Sequence, residues 1–380
     1  MTILQLISSE GYYGAESMLV GLSVALQQLG HKVIVGVFKG QSNPHIEVAQ
    51  KAQNKGLSVE LIECKGRFDW NAVRKIREIL STRSIDIVHA HGYKSDIYSY
   101  VAAPRKVALV STCHNWPDPA LAMRVYAALD RIILRRFQQV TSPSISVMKV
   151  LTQSGICSSK LTYIANGIEI SQFQNSEPSL TFQIPAEGKQ VVGIVGRLVA
   201  EKGGETLLRA AQLVIKRFPN VLFVFIGEGA ARKEWEAISN TLGISANVSF
   251  IGMRDDMPGV YSSINILALP SFNEAMPMCI LEAMAAAIPV VASKIGSVPD
   301  LELNNVTGNL VPPGDSEALA DKLLMLLRNP DHAKNLGRAG LDHVLRNYSS
   351  EAMAHQYAVV YSKATIGVPY MATERKVEIN

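Results

Sequence analysis

The sequence predicts an α/β fold with two parallel sheets, on three observations. Short apolar runs alternate with longer amphipathic ones through nearly all of the 380 residues, the pattern of parallel strands covered by helices on both faces. That length is more than one hydrophobic core usually serves and suits two domains. The start of the chain also has an echo near its middle: residues 3–26, ILQLISSEGYYGAESMLVGLSVAL, run strand, glycine-containing loop, helix, and residues 191–214, VVGIVGRLVAEKGGETLLRAAQLV, do the same. Each stretch has the form of an opening Rossmann-like unit. Open parallel sheets bind ligands at the carboxyl ends of their strands, so two such domains facing each other would set both groups of loops around one central cleft.

Taken in order, the strand candidates of the first half are ILQLI, KVIVGVF, LSVELI, DIVHAH, VALVSTC and QQVTS; those of the second are VVGIVG, VLFVFIG, VSFIG, NILALP and PVVAS. Helical periodicity fills the gaps, as over residues 15–29, where Met18, Leu19, Leu22, Ala25, Leu26 and Leu29 fall on one face. The polar stretch NSEPSLTFQIPAEGKQ, residues 175–190, marks the boundary. It gives a first domain over 1–180 and a second over 181–348. A helix over 349–365 has no strand after it and is expected to cross back onto the first domain, followed by a tail over 366–380.

Hydrophobic residues make up 48% and charged ones 18%, enough to bury both sheets, yet no run reaches the ~18 apolar residues that span a bilayer. The opening MTILQLISSEGYYGAE lacks the basic segment and small-residue cleavage site of a signal peptide and reads as a first buried strand. Cys64, Cys113, Cys157 and Cys279 are scattered, with neither zinc-site nor disulfide spacing, so a reducing, cytoplasmic location is expected. The net charge of +4 is uneven: residues 1–182 carry 19 Lys and Arg against 13 Asp and Glu, the remainder 18 against 20. A basic first half favours an acidic substrate or an anionic membrane surface at the inner face of the cell membrane. The helix LAMRVYAALDRIILRRF sets Arg124, Arg131 and Arg135 beside an apolar face of Val125, Ala128, Leu129 and Ile132. Such a helix either packs its apolar side into the core or lies at a lipid interface. No nucleic-acid partner is expected.

Three loops could carry chemistry. GRLVAEKGGETLL joins a strand to a helix; Gly196 and Gly203 permit tight turns while Arg197 and Lys202 place two cations beside the helix start, a combination suited to a diphosphate. Its spacing is neither GxGxxG nor GxxxxGK[ST], which disfavours a dinucleotide dehydrogenase and a P-loop enzyme. SSEGYYGAESML offers Gly11 and Gly14, with a helix starting near Ala15. FNEAMPMCILEAMA sets Glu274 and Glu282 eight positions apart around Pro277. A proline suits the first turn of a helix, so the helix is expected to begin near Met276, leaving Glu274 in the loop and Glu282 inside the helix. Carboxylates accept from sugar and ribose hydroxyls, and the free helix N–H groups suit a phosphate. Three histidines end buried strands: His89 and His91 in DIVHAHG, and His114 in STCHNWP. His89, among apolar neighbours, reads as a core residue bonded to backbone; His91 and His114 are candidates for hydroxyl contacts or proton handling.

The ordered set YGAE, DIVHAHG, STCHNWP, IANGIE, GRLVAEKG, PSFNEAMPMCILEAMA, PVVAS and TGNLVPPGD resembles the retaining glycosyltransferases of family 4, which have the GT-B fold, over about residues 3–365. The resemblance implies a nucleoside diphosphate sugar donor held without a cofactor or metal. Arg197 and Lys202 match the family's diphosphate cations, Gly14 the glycine that nears the donor phosphates, and Glu282 the carboxylate on the ribose hydroxyls. Glu274 matches the carboxylate on the transferred sugar; Ala275, Met276 and Met278 fall where the family grips phosphate and sugar. His114 matches the histidine on the reacting-sugar side, and His91 and Asn166, the latter followed by Gly167, are assigned to the acceptor side. The chain departs from the family at Tyr13, Ala275 and Ala287, where glycine is usual, and at Ser297 and Asp300, where glycine and glutamate are typical.

The function that follows is that of a hexosyltransferase moving sugar to a glycan or lipid-linked acceptor, in polysaccharide or lipopolysaccharide biosynthesis. With no DxD cluster in the sequence, cations and helix N-termini are expected to stabilise the leaving group, and front-face transfer is expected in the absence of an evident nucleophile. A sugar-nucleotide epimerase and a catalytically silent sugar-binding protein are the competing readings. The donor base (UDP, GDP or ADP), its sugar and the acceptor are not legible.

Overall fold

The computed structural model describes residues 1–9, 11–40, 45–66, 68–114, 121–174, 176–179, 188–301 and 305–366, without the side chains of 121–127. The tail beyond Ile366, the Arg124 side chain and most of the polar stretch expected as a boundary lie outside them. The chain forms two compact units, Met1–Ala165 with Glu351–Asn380, and Asn166–Ser350.

The first unit carries strands β1 (Thr2–Ile7), β2 (Lys32–Lys39), β3 (Ser58–Glu63), β4 (Ile87–His91), β5 (Ala108–Thr112), β6 (Gln139–Ser142) and β7 (Leu161–Tyr163). Between them run α1 (Gly14–Gln28), α2 (Glu47–Asn54), α3 (Trp70–Thr82), α4 (Tyr93–Ala102), α5 (Leu121–Leu134) and α6 (Ile145–Gln153). The sheet order is β3-β2-β1-β4-β5-β6-β7, all parallel. The second unit carries β8 (Gln190–Val195), α7 (Gly204–Arg217), β9 (Val221–Ile226), α8 (Arg232–Thr241), β10 (Val248–Gly252), α9 (Met257–Ser262) and β11 (Ile266–Leu269). It continues with α10 (Met278–Ala285), β12 (Val290–Ser293), β13 (Asn309–Val311), α11 (Ser316–Arg328) and α12 (Pro330–Asn347), in the sheet order β10-β9-β8-β11-β12-β13. Strand order reverses between β1 and β4 in one sheet and between β8 and β11 in the other, and such switch points are where open α/β sheets form crevices.

Buried strands such as β9, VLFVFI, have both faces covered, which is why they read as unbroken apolar runs. Helix α3 starts where the Asp69 carboxylate accepts the Asn71 N–H at 2.8 Å, and α11 where Asp315 accepts that of Ala318 at 2.9 Å. Leu29, expected on the buried face of the first helix, is instead its exposed C-cap, one residue past the last helical turn. That helix begins at Gly14, a residue before Ala15.

The last helix, α13 (Ser350–Thr365), packs on the first unit. Tyr357 and Tyr361, one turn apart and fully buried, reach His89, Thr112, Thr141 and Gln5 of its sheet. The units divide at Ala165, fifteen residues ahead of the expected 180. The Asn166 N–H donates to the Met276 thioether at 3.1 Å, and Ile168 pairs with Tyr348 and Ser350 through two 2.9 Å backbone bonds. These bonds draw residues 166–174 into the second unit.

Ala287, where the family has glycine, sits at φ +56°, just after α10. The helix ends in paired bonds from the N–H of Ala287 to Met284 and of Ile288 to Ala283, a closure that requires a left-handed residue. Alanine there costs about 1 kcal/mol relative to glycine. Ala287→Gly is therefore expected to stabilise the second unit by about 1 kcal/mol, read as a higher urea midpoint; an unchanged or lower midpoint would refute this account.

Candidate active site

In the second unit the site assembles at the switch point, where Ile266 and Leu267 of β11 lie beside Val192 and Gly193 of β8. The strand β8 ends in Gly196 and Arg197, followed by a 3₁₀ turn, Ala200–Lys202, and by Gly203 at φ +67° before α7. Leu198 exchanges backbone hydrogen bonds of 2.9 Å with Glu228 and Ala231, so the loop is held from the β9 side. From the β11 side, the Phe272 N–H donates to the Glu201 carbonyl at 2.7 Å.

Those two loops meet through side chains. The Lys202 ammonium donates to Oε1 of Glu274 at 2.5 Å, and the Ser271 hydroxyl donates to the same oxygen at 2.7 Å. Glu274 is nearly buried and Ser271 fully so, which makes this a desolvated, charge-assisted junction. Arg197 stands exposed on the same loop and forms no ion pair among the described residues. The junction therefore holds one compensated cation and one uncompensated one beside the start of α7, whose first N–H groups add to the local positive field.

Around Glu274 the backbone is packed without slack. A Cβ on Gly203 would sit 2.0 Å from the Pro270 carbonyl oxygen, and one on Gly296 (φ +48°) 2.0 Å from that of Glu274. The Ser297 hydroxyl donates to the Ala275 carbonyl, so two positions at which the chain departs from the family are in contact. At Asp300, another departure, the backbone carbonyl accepts from the Tyr348 hydroxyl at 3.2 Å.

Helix α10 starts at Met278, not Met276, because Pro277 adopts an extended conformation (φ −77°, ψ 107°) and serves as the N-cap. Glu274 is in the loop and Glu282 in the helix, as the sequence predicts. Glu282 accepts the Tyr261 hydroxyl at 2.7 Å. Burial pushes its carboxyl above the usual range, the Tyr261 bond pulling the other way. Cys279, one turn before it, is buried and inert: burial pushes its thiol up to about 12. Asn166, assigned to the acceptor side, is buried, and its backbone N–H donates to the Met276 thioether.

In the first unit His91 and His114 come together at the carboxyl ends of β4 and β5. His91 Nδ1 lies 3.2 Å from His114 Nε2, with the rings stacked at 5.5 Å. Burial holds His114 down to about 4, and it holds His91 well below its ordinary value with the neighbouring His89 and His114 rings adding to the effect. Both rings are neutral near pH 7. His89 is buried as expected, but its partners are side chains, Tyr361 at 2.9 Å and Thr112 at 2.7 Å, and not backbone. Gly14 opens α1, where Glu16 accepts the Tyr13 N–H at 3.1 Å and the Ser9 hydroxyl at 3.0 Å.

Helix α5 exposes Leu129 and Ile132, part of the apolar face expected either in the core or at a lipid surface, together with Arg131. Arg135 lies past its end and donates to the Ser154 carbonyl at 2.7 Å, so it is not on the helix face with Arg131. Among the described residues no helix is long and apolar enough to cross a membrane. Nor do three or more His, Cys, Asp or Glu residues converge there in a metal-ligand cluster.

Sequence reasoning missed Tyr261, Ser271, Gln5, Thr112, Tyr357 and Tyr361. Only the last two left a signal, a pair of tyrosines four apart on one helical face.

Two family models match the chain: Glycosyltransferase Family 4 over residues 12–172 and Glycosyl transferases group 1 over 177–343. A D-inositol 3-phosphate glycosyltransferase of Corynebacterium efficiens is 27% identical over 305 residues, 74% of this chain and 72% of that protein. A phosphatidyl-myo-inositol mannosyltransferase of Mycobacterium leprae is 26% identical over 360 residues, 92% of each chain. Among solved structures, Anabaena HepE in complex with UDP and glucose superposes with a TM-score of 0.82 at 22% identity, covering 95% of this chain and 99% of that one. That likeness is to a two-sheet GT-B fold. With both halves of the chain matched, the protein belongs to the family 4 glycosyltransferases and is a GT-B enzyme that transfers a glycosyl group.

Proposed function

We propose that the enzyme transfers a sugar from a nucleoside diphosphate to a hydroxyl of a phosphorylated, lipid-linked or soluble acceptor, with retention of configuration and without a metal ion. The observation that carries this reading is the Lys202–Glu274–Ser271 junction beside exposed Arg197. A diphosphate entering there would compete with Glu274 for Lys202 and meet Arg197 and the start of α7. Glu274, freed from the ammonium, would accept from hydroxyls of the sugar. The C–O bond between the anomeric carbon and the diphosphate breaks with its electron pair passing to the phosphate, whose charge the two cations offset. The acceptor oxygen bonds to the same face, and its proton passes to the departing phosphate. Glu282, which accepts the Tyr261 hydroxyl on the helix that follows this loop, would accept from ribose hydroxyls.

For the acceptor, the relatives named for D-inositol 3-phosphate and phosphatidyl-myo-inositol favour an inositol phosphate over the polysaccharide or lipopolysaccharide pathway expected from the sequence. The basic surplus of the first half supports an anionic acceptor. UDP is favoured as the donor base by the UDP-bound HepE structure.

The test is transfer from a panel of UDP-, GDP- and ADP-sugars to inositol phosphate and phosphatidylinositol, with the product's anomeric configuration read by NMR. Retention, with activity unchanged by EDTA, is expected. Glu282→Ala should raise the donor KM by about tenfold or more. Inversion of configuration or abolition by EDTA would sink the mechanism, and release of an epimerised sugar without acceptor would favour an epimerase.

A further inference from the structure

A buried chain of hydrogen bonds runs through the first unit from His114 to the β-sheet backbone. His114 Nε2 meets His91 Nδ1 at 3.2 Å, His91 Nε2 meets Gln5 Oε1 at 2.8 Å, and Gln5 Nε2 meets the Tyr361 hydroxyl at 3.2 Å. The Tyr361 hydroxyl meets His89 Nδ1 at 2.9 Å, and His89 Nε2 meets the Thr112 hydroxyl at 2.7 Å. Thr112 meets Thr141 and Tyr357, each at 2.8 Å, and the Thr141 hydroxyl donates to the Ser111 carbonyl at 3.2 Å. Gln5, His89, Thr112, Thr141, Tyr357 and Tyr361 are shut off from water, so no solvent molecule can re-pair a reversed link.

The direction of this chain is set from both ends. The Thr141 hydroxyl also lies 3.2 Å from that of Tyr357, but a carbonyl only accepts, so with its one proton on Ser111 Thr141 accepts from its hydroxyl neighbours, Thr112 among them; Thr112 in turn accepts from His89 Nε2–H. His89 Nδ1 is then a lone pair that takes the Tyr361 proton. Independently, an amide accepts at oxygen and donates at nitrogen, so Gln5 takes a proton from His91 and gives one to Tyr361. The two assignments agree at Tyr361. They leave His91 protonated at Nε2 with a lone pair at Nδ1, which only an Nε2–H of His114 can fill.

From this geometry we infer that Gln5 and Tyr361 are positioning residues that lock His114 in the tautomer whose Nδ1 is a bare acceptor, so that it receives a hydrogen bond from a substrate hydroxyl instead of donating one. Nδ1 of His114 has no partner among the described residues, and the ring is only partly covered. An acceptor there suits a sugar or polyol O–H and rejects a carbonyl or phosphate oxygen. The substrate half of this inference rests on the transferase reading; the tautomer does not.

The test is long-range ¹H–¹⁵N NMR of the full-length protein labelled at histidine, at pH 8 and without substrate, with peaks assigned through His91→Asn and His114→Gln. All three rings are expected as neutral Nε2–H forms, with slowly exchanging Nε2 protons on His91 and His114. An Nδ1–H form or an imidazolium at His114 overturns the inference. Two variants check polarity. Gln5→Glu keeps an acceptor facing His91 and should retain the slowly exchanging protons; Gln5→Met removes it and should lose them, with kcat falling about tenfold or more while the donor KM holds. Were the chain reversed, Glu would repel the His91 lone pair and Met would be the milder change, and that order of effects also overturns the inference. Absence of transfer from every donor tested, with the NMR pattern intact, would count against the transferase reading alone.

Discussion

Replacement of Lys202 by methionine is expected to lower kcat/KM for glycosyl transfer about 10²–10³-fold, the loss that follows removal of one group aimed at developing charge in a dry site. That corresponds to about 3–4 kcal/mol of transition-state stabilisation. Lys202 is the one cation of the loop held in place, by the 2.5 Å bond to Glu274, whereas Arg197 is exposed and freer to be screened. The loss should therefore be larger for Lys202 than for Arg197, and most of it should appear in kcat, because the negative charge on the diphosphate grows as the bond breaks beyond what the bound donor already carries. Methionine keeps the aliphatic length, and Ser271 still donates to Glu274, so the variant should fold. Steady-state kinetics with circular dichroism on the same sample reads both. A Lys202→Met enzyme within threefold of the parent would remove the diphosphate from this loop.

The second large effect is expected at Gly203. An alanine there would place its Cβ 2.0 Å from the Pro270 carbonyl oxygen, on a backbone already at φ +67°. Neither can yield locally: Gly203 is the N-cap of α7, and Pro270 leaves the central strand β11. Gly203→Ala should destabilise the second unit by about 3 kcal/mol or more and displace the segment that carries Ser271 and Glu274, so stability and transfer fall together. Gly56 supplies the control. It has a similar φ of +77° but nothing within 4 Å of an added Cβ, so Gly56→Ala should cost only the left-handed penalty of about 1 kcal/mol. Equal urea midpoints for the two variants would show that the carbonyl contact carries no weight.

The fold was legible where burial is two-sided. VLFVFI and KVIVGVF are strands because both faces of a parallel sheet are covered, and nothing but an apolar run satisfies that. The strands β7, LTY, and β13, NLV, escaped notice because three residues at a sheet edge carry no period; their neighbours make them strands. The domain division escaped for a related reason. It is set by bonds from Asn166 and Ile168 to residues over a hundred positions away, which no local polarity records. The same split runs through the site. The cations and carboxylates were legible as types at fixed spacing, but their partners Ser271 and Tyr261 were not, since serine and tyrosine gain meaning there only from what the folded chain brings near. Pro277 misled by two residues: a proline suits the first helical turn, and here it caps.

The last helix gives the molecule an order of assembly. The first sheet presents His89, Thr112 and Gln5 to the hydroxyls of Tyr357 and Tyr361, and those tyrosines are synthesised some 190 residues after the last strand of that sheet. On the ribosome the second unit, whose entry and exit segments pair at Ile168 and Ser349, has all its own parts before the first unit does. The half that begins the chain is thus the half whose last packing partner arrives latest, and a ribosome stalled short of residue 357 leaves His89, Thr112 and Gln5 without the tyrosine hydroxyls that pair with them.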